Sequence, residues 1–116
     1  MVTKSILERQ FDFTNDVVKL IEFANSKRFN VVIKECYRPP EVSEHYKNIG
    51  LSWLANPKDD RHTQGLAADI CFFIGNSWIK DWNLLDPLGD FWTKLRPGNV
   101  WGGYWKVRDC LHFQGV

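Results

Sequence analysis

Hydrophobic residues recur every three or four positions in the first quarter of the chain, and this spacing predicts a helix over residues 5–27. Phe13 and Val17 fall on the apolar side, with charged residues between the apolar positions. Thr14 or Asn15 could cap a break in this stretch. The segment therefore forms either one long helix or two consecutive ones.

Two further apolar segments predict strands. Residues 30–37 are rich in β-branched side chains and end at a Pro-Pro pair, whereas residues 66–74 form the most apolar run and predict a buried central strand. Between them, residues 41–47 predict a short helix closed by Gly50. Residues 51–61 are expected to form a polar loop.

The last third of the chain predicts one helix and one pair of strands. The helix covers residues 86–95, with Asp86 as N-cap and Pro87 in the first position. Residues 101–105 and 111–114 then predict a hairpin-like pair. The order of elements indicates a single small α+β domain over the whole chain, with a short antiparallel sheet flanked by helices.

Composition narrows the class of protein. A chain of 116 residues that is 44% hydrophobic and 25% charged has room for one compact core. A net charge of +1 gives no general attraction for polyanions, so no nucleic-acid partner is expected. No C-x-x-C pair is present and no apolar run is long enough for a signal peptide or a membrane span. We expect neither a cysteine-built zinc site nor a membrane partner.

Three residues carry the candidate chemistry: His62, Asp69 and His112. Asp69 and His112 interrupt apolar segments, where an ionisable side chain is costly unless it is paired or bound to a cation. Two imidazoles and one carboxylate suffice for a catalytic zinc ion and leave a fourth position for water. Because seven extended residues would span about 23 Å, the chain must fold back between His62 and Asp69. Residues 63–65, which end in a glycine, supply that turn.

Asp109 is a further carboxylate beside this set. It stands three residues before His112, so a regular strand would place the two side chains on opposite faces. We expect Asp109 at the entry of the strand, where a turn brings it toward the metal. Taken singly, each histidine could be structural, and Asp109 could pair with Arg108 or Lys106. The joint pattern favours a metal site.

These motifs resemble those of a known family. The His-x6-Asp and Asp-x2-His-Phe segments are joined by Glu-Cys-Tyr-Arg-Pro-Pro-Glu, Gly-Leu-Ala-Ala-Asp-Ile, Leu-Gly-Asp-Phe-Trp and Trp-Gly-Gly-Tyr-Trp. Together they resemble the zinc D-alanyl-D-alanine carboxypeptidase and L-alanyl-D-glutamate endopeptidase family (peptidase family M15), and within it the phage endolysins. The resemblance extends from about Ser5 to Gln114.

The resemblance implies a role for each site residue. The two histidines and Asp69 would hold Zn²⁺, and Asp109 would be the general base for the zinc-bound water. Arg38 would stabilise the developing oxyanion or bind a substrate carboxylate. The alternative for Arg38 is a structural pair with Glu35 or Glu41.

Substrate contacts are expected from Arg38, Tyr37, Trp101 and Tyr104. Two positions depart from the family pattern, which often has Ser where this chain has Asp60 and Asp where it has Tyr104. Neither is a metal ligand, so catalysis is not excluded. Both departures could alter substrate fit or the hydrogen bonds around the ligands.

The implied function is a zinc peptidase that cleaves the L-Ala–D-Glu bond of the peptidoglycan stem peptide. A D,D-carboxypeptidase or dipeptidase releasing terminal D-Ala is an alternative with the same metal chemistry. An alternative of another class is a non-catalytic, zinc-stabilised wall-binding domain. The resemblance further implies a monomer made in the host bacterial cytoplasm without a signal peptide, which reaches the periplasmic wall through a holin-type pore.

Overall fold

The computed structural model of the chain describes residues 3–50 and 60–116. The polar loop predicted over residues 51–61 lies almost wholly outside the described residues. Each of the other predicted elements can be compared with the structure.

The first element is one long helix, α1 (Ile6–Ser26). Ser5 caps it, because its Oγ accepts a hydrogen bond from the backbone N–H of Glu8 at 3.1 Å while the Glu8 side chain accepts from the Ser5 N–H. The predicted helix is confirmed. The break considered at Thr14 or Asn15 is wrong, since the helix is continuous through both residues.

Within the described residues, five strands form one antiparallel sheet. They are β1 (Asn30–Glu35), β2 (Ala67–Ile74), β3 (Ser77–Trp78), β4 (Val100–Trp101) and β5 (His112–Gln114). The order across the sheet is β1-β2-β5-β4, and β3 pairs with the end of β2. In the register of the sheet, Asp69 lies between Glu35 and His112. The strand predicted over residues 30–37 and the central strand predicted over residues 66–74 are confirmed. The final strand pair is also confirmed, but its first strand ends at Trp101 and is followed by a short 3-10 helix, Gly102–Tyr104.

The second and third helices are α2 (Pro40–Asn48) and α3 (Trp82–Leu95). The short helix predicted before Gly50 is confirmed. The third helix begins four residues earlier than predicted, because Asp81 caps it by accepting from the N–H of Asn83 at 2.8 Å. Asp86 is therefore not the N-cap, and Pro87 lies inside the helix rather than in its first position.

The core lies between one face of the sheet and the helices α1 and α3. Alternate residues of β2 point to it, namely Ala68, Ile70 and Phe72, all of which are at most 2% exposed. They pack with buried aromatic residues of the helices and the last strands: Phe13, Trp92, Trp101 and Phe113. Asp69 points away from this core. The expected α+β architecture is confirmed, and the candidate ligands lie on the opposite face of the sheet.

Candidate metal centre

The structure brings the three predicted ligands together. Asp69 Oδ1 lies 3.3 Å from His62 Nε2 and 3.8 Å from His112 Nδ1. One ligand atom from each of the three residues lies within 4.8 Å of the other two. Donors around one tetrahedral zinc ion are about 3.4 Å apart, so the separations suit a single ion. His62, Asp69 and His112 can therefore hold a metal.

Strand pairing places two of these side chains, and a turn places the third. Asp69 on β2 is the direct antiparallel partner of His112 on β5, so both project from the same face of the sheet. His62 lies in the turn that precedes β2, where Gly65 has φ of 71°. The predicted fold-back between His62 and Asp69 is confirmed.

Asp60 stabilises the turn that presents His62. Its Oδ1 accepts the backbone N–H of His62 at 2.9 Å, and its backbone carbonyl accepts from Thr63 and Gln64. Its Oδ2 accepts from Ser43 Oγ of α2 at 2.8 Å. Asp60 is only 3% exposed, and these bonds offset the cost of burying its charge.

Each histidine has a hydrogen bond that selects the nitrogen facing the metal position. His62 Nδ1 lies 2.8 Å from the carbonyl oxygen of Cys36, which assigns its proton to Nδ1 and leaves Nε2 free toward Asp69. His112 Nε2 lies 2.9 Å from Gln114 Oε1, which leaves its Nδ1 free. The two imidazoles thus present different nitrogens to one point, as metal-ligating histidines with ordered partners do.

The charge states of Asp69 and His62 favour the binding of a cation. Burial alone would raise the pKa of Asp69, but its interactions with the His112 and His62 imidazoles, when these are protonated, outweigh burial and hold that pKa well below its usual range. Burial lowers the pKa of His62, yet the hydrogen bond and charge of Asp69 reverse this and raise it. A carboxylate that remains charged while buried against two imidazoles attracts either protons or a metal ion.

Asp109 lies in the turn before β5, as predicted. Its backbone N–H donates to the carbonyl of Gly102 at 2.9 Å, and its own carbonyl accepts from the N–H of His112 at 3.2 Å. Burial raises the pKa of Asp109, the positive charge of His112 lowers it, and the negative charge of Asp69 raises it further. The charges of the ligand set thus affect the pKa of Asp109, while the residue remains exposed to solvent.

The predicted substrate contacts fall in different environments. Tyr37 and Tyr104 are 60% and 47% exposed, so both side chains are accessible to a substrate. Trp101 is 1% exposed, and its indole N–H donates to the carbonyl of Cys110 inside the protein. The expected substrate contact by Trp101 is therefore wrong, because its ring is buried in the core.

Sequence reasoning missed two residues that adjoin the ligands. Gln114 bonds His112, and its position two residues further along the same strand was a usable signal, since such residues share a face. Trp105 is 41% exposed and its ring centroid lies 4.9 Å from that of His112. No periodicity distinguished Trp105 from the other tryptophans.

Comparisons with known proteins bear on the fold. No family model and no curated protein matches the chain by sequence. The crystal structure of the L-Ala D-Glu endopeptidase ChiX of Serratia marcescens is similar over 99% of this chain and 89% of its own, with a TM-score of 0.68 and 21% identity. The chain has the fold of this endopeptidase.

A second solved structure supports the same conclusion. It is a mutant of the vancomycin resistance D,D-pentapeptidase VanY, from a VanB-type resistance cassette, in complex with Zn(II). It is similar over 90% of this chain and 71% of its own, with a TM-score of 0.59 and 17% identity.

None of the helices in residues 3–50 and 60–116 combines the length and the apolar character needed to cross a bilayer.

Proposed function

We propose that this protein is a zinc-dependent peptidase of the M15 type that acts on the stem peptide of peptidoglycan. The observation that carries the proposal is the convergence of His62, Asp69 and His112 on one point. Its support is the sequence resemblance together with a fold shared with an L-Ala D-Glu endopeptidase and a D,D-pentapeptidase.

Each residue of the site would have its own role in the proposed reaction. A bound zinc ion would polarise the scissile carbonyl and lower the pKa of a coordinated water. The two histidines and Asp69 would hold it, leaving one position open. Asp109 would take the proton of the attacking water and return it to the leaving amine. The raised pKa of Asp109 suits this role, because partial desolvation makes a carboxylate a better proton acceptor.

Three exposed aromatic residues would contact the substrate. Tyr37 and Tyr104 keep the roles that the resemblance implies. We add Trp105, because its exposed ring borders His112 and can pack against a substrate group next to the scissile bond.

For the bond that is cut, we propose L-Ala–D-Glu. The chain aligns with the L-Ala D-Glu endopeptidase over more of its length and with a higher TM-score than with the D,D-pentapeptidase. Release of terminal D-Ala is the second candidate, which the likeness to VanY favours. We further propose, on the sequence resemblance alone, a phage endolysin that acts as a monomer on a Gram-negative wall after holin-type release.

Mass spectrometry of fragments released from purified Gram-negative peptidoglycan tests the proposal. We expect zinc-dependent fragments with a new D-Glu amino terminus, and none in the presence of a chelator. Loss of D-Ala alone would establish the second candidate. The absence of any zinc-dependent product from folded protein would favour the non-catalytic wall-binding domain.

Asp109→Asn is the matched control for that experiment. It removes the proton acceptor but none of the ligands, so we expect turnover to fall by about 10²–10⁴-fold while zinc still binds. Turnover at the wild-type rate would contradict the role of Asp109. Loss of zinc binding would instead make Asp109 part of the metal site.

A further inference from the structure

The Arg38 guanidinium is surrounded by carboxylates on all of its nitrogens. Nε donates to Glu35 Oε1 at 2.6 Å, Nη1 donates to Asp60 Oδ2 at 2.8 Å, and Nη2 lies 2.5 Å from Glu35 Oε1. Its flat face lies over the ring of Tyr46, 4.7 Å from the centroid. The side chain is only 12% exposed. An oxyanion donor would need N–H groups aimed at the substrate, whereas these are directed to the protein.

A further contact of the Arg38 guanidinium is with the candidate metal ligand Asp69. Nη2 lies 3.7 Å from Asp69 Oδ2, while Asp69 Oδ1 is the oxygen that faces both histidines. The two oxygens of one carboxylate are thus assigned to different partners. A cation held against Oδ2 fixes the rotation of the carboxylate and leaves Oδ1 for the metal.

Asp60 completes this arrangement. Its Oδ1 holds the N–H of His62, and its Oδ2 holds Arg38 and Ser43. A serine, the usual residue at this position in the family, could accept the N–H of His62 but would bring no negative charge to Arg38. Asp60 therefore connects the turn that carries His62 to the guanidinium of Arg38, which in turn contacts Asp69.

We propose that Arg38 is a positioning residue, held by Glu35 and Asp60, that orients Asp69 for monodentate metal binding. This inference rests on the proposed function only for the presence of zinc. It gives Arg38 a role that acts through a ligand rather than on the substrate. The departure at Asp60 then has a physical reason, because it supplies the second carboxylate of the Arg38 network.

The test is the zinc affinity of Arg38→Lys, measured by competition with a chelator. Lysine keeps the charge but cannot bridge several carboxylates with a planar fork. We expect the zinc dissociation constant to rise by about 10–100-fold, the usual effect of losing a group that orients a ligand. In the cobalt-substituted protein, we expect the visible spectrum to change, because the second oxygen of Asp69 becomes free to reach the metal.

Arg96→Lys is the matched control. Arg96 makes an analogous pair with buried Asp16, through Nε to Oδ2 at 2.9 Å and Nη2 to Oδ1 at 3.2 Å, and no ligand is involved. The Arg96→Lys variant therefore measures how the loss of an Arg–carboxylate pair affects stability when no metal ligand is involved. We expect it to lower thermal stability and to leave zinc affinity and the cobalt spectrum unchanged.

The outcomes separate this inference from the proposed function. A zinc dissociation constant of Arg38→Lys within about threefold of wild type would overturn positioning, given the effect expected above. If Arg38→Lys does not fold, Asp60→Asn replaces it, since it removes the negative charge beside Nη1 and keeps one amide oxygen to accept the N–H of His62, and the same shift in zinc affinity is expected. A wild-type protein that binds no zinc would overturn both, whereas tight zinc binding without peptidase activity would overturn only the proposed function.

Discussion

At the scale of single residues, the ligands could be predicted because their chemistry conflicts with their surroundings. Asp69 and His112 stand in apolar strands, and an ionisable group there needs a partner or a cation. The residues that orient them gave weaker signals. Asp60 appeared only as a departure from the family pattern, and its contacts with Ser43 and Arg38 depend on how distant segments pack. Sequence spacing does not encode such contacts.

The hydrogen bond between Gln114 and His112 gives a prediction for zinc affinity. Gln114→Ala removes the acceptor that holds His112 in the tautomer with a free Nδ1, so zinc affinity should fall by about 10–100-fold. Chelator competition measures it. Gln114→Glu keeps an acceptor oxygen and should bind zinc at least as tightly as wild type. Equal affinities for the alanine variant and wild type would show that Gln114 does not set the tautomer.

The exposed ring beside His112 gives a prediction for substrate binding. Trp105→Ala should raise KM by about 2–10-fold, because an aromatic contact contributes about 0.5–1.5 kcal/mol, and should leave zinc affinity unchanged. Steady-state kinetics on a stem-peptide substrate measures it. Trp78→Ala is the control, since Trp78 is equally exposed at 42% but pairs with the far end of β2. A rise in KM for both variants would argue against a specific contact by Trp105.

At the scale of elements, helix and strand types followed from periodicity, while the boundaries depended on local capping. The start of α3 shows this: both Asp81 and Asp86 are good caps by residue type, and Pro87 favoured the second. The structure uses Asp81, and Asp86 instead accepts the hydroxyl of Tyr104 at 2.7 Å. That tertiary contact pairs residues 18 positions apart, beyond the reach of a local rule.

The choice of cap can be measured by thermal or denaturant unfolding. Asp81→Ala should lower the free energy of unfolding by about 0.5–2 kcal/mol, because it leaves the N–H of Asn83 without its acceptor. Asp86→Ala removes an exposed side-chain contact and should cost less, within about 0.5 kcal/mol. The reverse order of the two effects would place the helix start at Asp86.

At the scale of the whole molecule, the sheet separates two environments. One face of β2 builds the aromatic core with α1 and α3, and the other carries the ligands. The α+β class was predictable from the order of elements. The burial of Trp101 was not, because an aromatic residue near the site suits either the core or a binding surface, and only three-dimensional packing decides between them.

The balance of charge on the ligand face predicts that the fold depends on its metal. In the part of the chain that the structure describes, four carboxylates lie there, on Glu35, Asp60, Asp69 and Asp109, and the Arg38 guanidinium contacts three of them. A divalent ion would offset this excess, so we expect it to bind the folded chain and stabilise it. At a zinc concentration about 100 times the dissociation constant, the stabilisation should reach about 2.7 kcal/mol.

Thermal unfolding with and without a chelator measures this effect. We expect the melting temperature to fall on chelation and to recover when zinc is added in excess. His112→Ala should unfold at the same temperature in both conditions, because it removes one of the three ligands and with it the differential binding that produces the shift. A wild-type melting temperature that does not respond to chelation or zinc would mean that the ligand face is stable without an ion, through protonation of His62 beside Asp69.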